Sequence, residues 1–272
     1  MAGTNVPKDR TIDALEEEYA ALVALLGELR DDEWAQPSPC PGWDVRANVA
    51  HVIGTESALA GRPQPNVELD RDALTHVRND IGWSNETWIA SMAAAPPAEL
   101  RARLAAITAE RIAALRAMDQ GAWDAEVRTP AGPDTYGRFM RIRVFDCWMH
   151  EQDIRDATER PGHESGRPVE VVLDEMVAAL GYVVGKRAGA PAGSAITFEL
   201  AGDSGRTVHV DVQERAALVE QLDRPATVTL RMPVGVFTRL GGGRTSATPE
   251  VVELAGDEAL GRQIVANLAY TI

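Results

Sequence analysis

The sequence predicts an α+β protein in which a helical N-terminal half is followed by a smaller half that mixes helices and strands. Apolar residues recur at helical spacing over about the first 160 residues, whereas short β-type runs begin with AITFEL at residue 195. Between these patterns lies ERPGHESGRP, residues 159–168, whose Pro, Gly and charged residues are typical of a linker. We therefore expect two domains, residues 1–160 and 161–272.

The N-terminal half is predicted to contain successive helices. The first carries apolar residues from Ile12 to Leu29 at helical spacing. The prolines of PSPCPGW make a stiff loop, and Asp44 is placed to cap the helix that follows. Further helices are expected at about 70–94, 98–118 and 136–158, with RTPAGPDTYG as a loop before the last of them.

The C-terminal half is predicted to begin with a helix over about 169–187. Three β-type runs follow, AITFEL, RTVHVDV and ATVTLRM, and the turn AGDSGR joins the first two as a hairpin requires. A short helix VGVFTRL, a strand EVVEL and a final helix DEALGRQIVANL complete the expected order. This succession is typical of an α+β domain.

Composition disfavours several classes of partner. The net charge of −14 and the pI of about 4.8 give a surface that repels nucleic-acid phosphates and anionic lipid headgroups. No apolar run reaches the roughly 18 residues that a membrane span needs, and MAGTNVPKDR lacks the pattern of a signal peptide. With two cysteines and no CxxC pair, we expect a cytoplasmic protein that binds neither nucleic acid nor membrane.

Three residues are candidates to hold a metal ion. Asp146 and His150 stand four residues apart in RVFDCWMHEQD, so a helix places them on one face. His51, in the helical stretch DVRANVAHVIG, can complete the set if two helices of a bundle meet. Three protein ligands leave a fourth coordination position open, as in catalytic metal sites. The alternatives are a hydrogen-bonded His51 and an ion pair between Asp146 and Arg143.

The remaining candidates concern the surroundings of this set. Asp153 shares the face of Asp146 and His150, and it can either orient a ligand imidazole or pair with an arginine. Cys147 points away from that face and is expected to be a small buried hydrophobe. Cys40 can reach the site, although packing is the favoured role. Neither cysteine has a basic neighbour in sequence that would mark a nucleophile, so a reactive thiol would have to come from a cofactor.

Two segments, PSPCPGWDVRANVAHVIG and RVFDCWMHEQDIRDA, strongly resemble the mycothiol-dependent maleylpyruvate isomerase family. The resemblance implies a DinB-like four-helix bundle over the N-terminal half. It also implies that the family's metal histidine falls on His51 and its acid-x-x-x-His pair on Asp146 and His150. Family members commonly carry Glu at the acidic position, whereas this chain carries Asp, which is one methylene shorter.

The segment ATVTLRMPVGVFTRLGGGRTSATPEVVELAGDEALGRQIVANL resembles the companion domain of the same family, a sterol-carrier-protein-like α+β fold. In isomerase members an arginine of this domain is expected to face the site. Arg244 and Arg239 are the candidates for this catalytic role, and solvated surface arginines are the alternative for each.

The family resemblance implies a metal-dependent and mycothiol-dependent enzyme, of isomerase or thiol S-transferase type, that acts on a small electrophilic substrate. Zinc is the expected divalent metal, and mycothiol is the expected thiol cosubstrate. Two alternatives stay open from the residues themselves. One is a non-catalytic metal- or ligand-binding protein of the same fold, and the other is a metal-free scaffold or regulator. The sequence selects no particular substrate and no oligomeric state.

Overall fold

A computed structural model describes residues 3–271 and divides the chain between an N-terminal unit, Met1–Gly162, and a C-terminal unit, His163–Ile272. Within residues 3–162 the N-terminal unit consists of helices, one hairpin and connecting loops, and the C-terminal unit combines helices with a five-stranded sheet. The predicted fold class, an α+β chain with the helical bundle first, is therefore confirmed. No helix within residues 3–271 is long and apolar enough to cross a membrane.

Four long helices of the N-terminal unit form a bundle. Helix α1 packs on α4 and α6, α2 packs on the same two helices, and α3 lies against α2. Their interior faces bury aliphatic side chains together with Trp34, Trp123 and Trp148. The bounds are α1 Lys8–Glu28, α2 Val45–Leu59, α3 Asp80–Ser91, α4 Pro97–Ala117, α5 Gln120–Asp124 and α6 Tyr136–Ala157, with a short 3-10 helix at Asp31–Ala35.

Side-chain caps set the beginnings of the helices that carry the candidate ligands. Asp44 accepts a hydrogen bond from Ala47 N at 2.8 Å, so the predicted cap of α2 is confirmed. Thr135 caps α6 by accepting from Arg138 N at 3.1 Å. Because both starts are fixed, the registers of His51 on α2 and of the Asp146 pair on α6 are fixed with them.

Two expectations for the N-terminal unit are wrong. The helix expected at 70–94 spans only Asp80–Ser91, because Asn79 caps it by accepting from Gly82 N at 2.9 Å and the preceding residues form turns. The segment RTPAGPDTYG, expected as a loop, contributes to an antiparallel hairpin of β1 Glu126–Thr129 and β2 Gly132–Thr135. Its strands lack apolar alternation, and Gly132, the first residue after the turn at Pro130 and Ala131, has φ +104°, which favours glycine.

The C-terminal unit is built on a sheet of order β5-β4-β3-β6-β7. The central strands β3 and β6 run parallel, and the other neighbouring pairs are antiparallel. The strands are β3 Ala195–Ala201, β4 Thr207–Val212, β5 Ala216–Val219, β6 Val228–Pro233 and β7 Glu253–Gly256. The helices are α7 Arg167–Ala178, α8 Leu180–Tyr182, α9 Val234–Gly241 and α10 Glu258–Ala266, with a π-helical turn at Val183–Arg187 and a 3-10 turn at Pro249–Val251.

Three expectations for the C-terminal unit need correction. The helix expected at 169–187 ends at Ala178 and continues as α8 and the π-helical turn, where Gly181 and Gly185 come close to Ala216. Strand β5 was not predicted, because ERAALV has no β-type alternation. The strand expected at EVVEL begins only at Glu253, because a 3-10 turn takes up the first residues.

Candidate metal centre

Three side chains from two helices converge in the bundle, and we call them the trio: His51 on α2, and Asp146 and His150 one turn apart on α6. His51 Nε2 lies 3.0 Å from Asp146 Oδ2, and His150 Nε2 lies 3.7 Å from Asp146 Oδ1. One ligand-type atom from each residue lies within 4.8 Å of the other two. The structure thus brings together the three residues that the sequence singles out as candidate ligands.

Trp43 forms a wall of the trio. Its ring centroid is 5.0 Å from that of His51 and 5.4 Å from that of His150. The two imidazoles meet edge to face with their centroids 4.7 Å apart. Ser38 closes the loop that carries Trp43, because its N–H and its hydroxyl both donate to the Trp43 carbonyl, at 3.0 and 2.9 Å.

His150 is oriented by two oxygen atoms behind it. Its Nδ1 lies 2.7 Å from Asn48 Oδ1 and 3.2 Å from Asp153 Oδ2. Both oxygens accept, so Nδ1 carries a hydrogen, and Nε2 is the ring nitrogen that faces Asp146. This is the arrangement that the predicted orienting role of Asp153 requires, and that role stays a prediction.

Asp146 is also held by a network of buried charged residues. Arg143 donates to Asp146 Oδ2 and, at 2.8 Å, to Glu56 Oε1. Arg111 donates to the other oxygen of Glu56 at 3.0 Å and to the Tyr136 hydroxyl at 2.8 Å. The ion pair between Asp146 and Arg143 that the sequence offered as an alternative is therefore present. It occupies Oδ2 and leaves Oδ1 facing His150.

Burial and charge move the pKa values of the trio in different directions. Burial lowers the pKa of His51, which Asp146 only partly offsets. Burial also opposes the charged form of His150, but Asp146 and Asp153 outweigh it and raise the pKa of His150. For Asp146, burial is outweighed by Arg143 and the two imidazoles, which hold its pKa well below the usual range. The trio therefore offers a carboxylate and a neutral His51 at pH 7.

The spacing of the trio suits a divalent cation. Two ligands about 2.1 Å from a tetrahedral ion lie roughly 3.4 Å apart, and Asp146 Oδ1 and His150 Nε2 are 3.7 Å apart, too far for a hydrogen bond. His51 Nδ1 is buried and has no hydrogen-bond partner within residues 3–271. Two nitrogens and one carboxylate oxygen form a donor set typical of zinc. The residues therefore fit the ion that the family resemblance implies.

The two cysteines lie in different surroundings. Cys147 is buried, accepts from Arg143 at 3.2 Å, and has a pKa raised well above the usual value by burial, as expected of an unreactive thiol. Cys40 is partly exposed, and its sulfur lies within 4.8 Å of ligand-type atoms of His150 and Asp153. The sequence favoured packing for Cys40, and this juxtaposition behind His150 is an alternative ligand set.

The two candidate arginines lie in the C-terminal unit. Arg239, on α9, contacts Glu164 Oε1 at 3.0 Å and the Gly235 carbonyl at 3.2 Å. Arg244, after the helix, donates to the Gly242 carbonyl at 2.7 Å. These are contacts within that unit, and a catalytic role for either arginine stays a prediction.

Comparison with known proteins places the chain in a family. Residues 15–155 match the mycothiol maleylpyruvate isomerase N-terminal domain, and residues 170–263 match the MDMPI C-terminal domain. The chain belongs to the mycothiol maleylpyruvate isomerase family. The family resemblance inferred from the two sequence motifs is thereby confirmed.

Solved structures of mycothiol-dependent maleylpyruvate isomerase, one of them a variant, share the fold of this family member. They are 18% identical to it, cover 92% of this chain and 93% of theirs, and superpose with a TM-score of 0.55. Two uncharacterized proteins of Mycobacterium tuberculosis are 27% identical over 149 residues, which is 50% of this chain and 51% of theirs. The chain thus spans about half the length of the curated relatives it matches.

Sequence reasoning missed the groups that surround the trio. Glu56 is a charged residue on an otherwise apolar helix face, a pattern that could have marked it as a buried partner of Arg143. Asn48 stands three residues before His51 on the same helix, which places it beside the site. No sequence signal links Cys40 to His150.

Proposed function

We propose that this chain is a metal-dependent enzyme that uses mycothiol against a small electrophilic substrate, and that His51, Asp146 and His150 hold the divalent ion, with zinc the expected one. The observation that carries the proposal is the convergence of three ligand-type atoms within 4.8 Å from two separate helices. Membership of the mycothiol maleylpyruvate isomerase family supports the choice of thiol.

The ion, when bound, would lower the pKa of a thiol so that a thiolate is present at neutral pH. The chain's own residues prepare the site for it. Asn48 and Asp153 keep the Nδ1 hydrogen of His150 on the side away from Asp146. Arg143 holds Oδ2 of Asp146, so that the carboxylate stays ionised and presents Oδ1.

Metal analysis of single-histidine variants tests the ligand set. Wild-type protein should bind one zinc per chain, and His51→Ala or His150→Ala should abolish that binding. His209→Ala is the matched control, because His209 lies on β4 in the C-terminal unit and bonds to Thr197. Full zinc occupancy in both His51→Ala and His150→Ala would show that the trio is not the zinc-binding site.

A second candidate function is a metal-free scaffold. It is favoured by one observation, namely that Asp146 is already paired with Arg143 and in hydrogen-bonding contact with His51 without any ion. Protein purified without added zinc and found empty, with no binding on titration, would support this scaffold. Metal binding without mycothiol binding would support a non-catalytic binding protein instead.

A further inference from the structure

A buried carboxylate lies outside the trio but reaches it through Trp43. Glu86, on α3, is 6% exposed. Its Oε1 accepts from Trp43 Nε1 at 2.7 Å and lies 2.8 Å from His76 Nε2, which must donate to it. We call Trp43, His76 and Glu86 the clamp.

The clamp joins three separate segments of the N-terminal unit. Trp43 precedes α2, His76 lies in the turns before α3, and Glu86 lies within α3. The His76 ring also rests on the backbone of Gly42, where a Cβ atom would lie only 2.5 Å from His76 Nδ1. Gly42 has φ +85°, so both the contact and the backbone conformation require glycine.

The clamp fixes the direction of the Trp43 ring. Leaving the buried Glu86 carboxylate without its hydrogen-bond donors would cost free energy. Glu86 therefore keeps the N–H groups of Trp43 and His76 in place. The ring so held lies tilted against the two imidazoles, at interplanar angles of 39° to His51 and 35° to His150. A change at Glu86 therefore reaches the trio through one aromatic side chain.

We propose that Glu86 and His76 are positioning residues that hold Trp43 against His51 and His150 and thereby keep the two imidazoles oriented for ligation. Both residues act through Trp43. The expected effect of these residues on zinc binding rests on the proposed function. Their effect on the orientation of the two imidazoles does not, so the two effects can be tested separately.

The orientation is tested in metal-free protein by NMR of the imidazole C–H protons. The spectrum is simple to assign because the chain has five histidines. In Glu86→Leu, the His51 and His150 signals should shift because the Trp43 ring is released, while those of His163 and His209 stay in place. Glu86→Gln keeps an acceptor oxygen and should restore the wild-type positions. Unshifted His51 and His150 signals in Glu86→Leu would overturn the proposal.

Ion binding is tested by zinc titration against a competing chelator. Glu86→Leu should weaken zinc binding by about 10-fold, the lower end of the usual effect of losing a group that supports a ligand, because Glu86 acts through Trp43. Glu86→Gln should stay close to wild type. Trp83→Phe is the control on α3, because Trp83 stacks on Arg71 instead. Equal zinc affinity in Glu86→Leu and wild type would contradict the effect of the clamp on the trio.

The outcomes separate the two proposals. If wild type binds no zinc while Glu86→Leu still shifts both imidazole signals, the proposed function fails and the positioning role stands. Should Glu86→Leu fail to fold, His76→Leu removes the outer half of the clamp at a side chain that is 23% exposed. The His51 and His150 signals should then shift by a smaller amount, because Trp43 still donates to Glu86, and unshifted signals would equally overturn the proposal.

Discussion

Replacing Arg143 with methionine should strongly destabilise the N-terminal unit. Arg143 is 3% exposed and donates to Glu56 Oε1 at 2.8 Å as well as to Asp146. Removing one partner of a buried ion pair costs about 3–5 kcal/mol, because it leaves a buried charge uncompensated. Arg111 remains on Glu56 at 3.0 Å, so the lower end of that range applies. With a urea slope of about 2 kcal/mol/M, the unfolding midpoint should fall by roughly 1.5 M.

Urea unfolding followed by tryptophan fluorescence reports the stability of the N-terminal unit, because all six tryptophans precede residue 149. Arg62→Met is the matched control, since Arg62 pairs with Glu110 at 2.6 Å with side chains 45% and 50% exposed. An exposed pair contributes less than about 1 kcal/mol, so the control midpoint should fall by less than roughly 0.5 M. If Arg143→Met shifts the midpoint no further than Arg62→Met does, the buried network contributes no special stability and our reasoning is refuted.

Three further predictions concern the acidic ligand, the hairpin and the linker. Asp146→Glu should keep or tighten zinc binding, whereas Asp146→Asn should weaken it by removing the negative charge. If a titration against a competing chelator gives Asp146→Asn the same zinc affinity as wild type, Asp146 is not a ligand. Asp134 accepts from Thr4 and Arg138, which holds its pKa below the usual range. Asp134→Asn should therefore cost about 2–3 kcal/mol at pH 7. The pKa of Asp134 is lower in the folded protein than in the unfolded chain, so its carboxylate stabilises the fold above about pH 4 and loses this effect as the pH falls. The difference in unfolding free energy between wild type and Asp134→Asn should therefore shrink below about pH 4, and a difference that stays constant from pH 7 to 3 would contradict this. Limited proteolysis should cut near residues 159–168 and release a folded helical fragment; an unfolded fragment would mean that the two units fold as one.

The helices were predictable because their signals are local. Helix α6 was expected at 136–158 and spans Tyr136–Ala157, since its apolar period and its cap are both readable in the chain. The i,i+4 relation of Asp146 and His150 follows from that helix alone. The hairpin at Glu126–Thr135 was not predictable in the same way, because its short strands lack apolar alternation and one of its contacts, from Thr4 to Asp134, comes from a distant part of the chain.

The site was predictable only in part, since its contacts span long separations. His51 and Asp146 are 95 residues apart, so spacing alone could not pair them, and the family resemblance supplied the link. The clamp on Trp43 draws on three segments with no shared period. The charged residues Glu56 and Arg111 are buried partners of each other, although their types predict a solvated surface.

X-ray absorption at the zinc edge tests the central claim most directly. Zinc-loaded protein without added thiol should give a first shell of nitrogen and oxygen atoms, from two imidazoles and one carboxylate. Adding mycothiol should introduce one sulfur neighbour at about 2.3 Å, and Cys40→Ser should give the same result. A sulfur neighbour present before mycothiol is added and lost in Cys40→Ser would place the ion on Cys40, His150 and Asp153 instead. A first shell that gains no sulfur with mycothiol would contradict the proposed role of the metal.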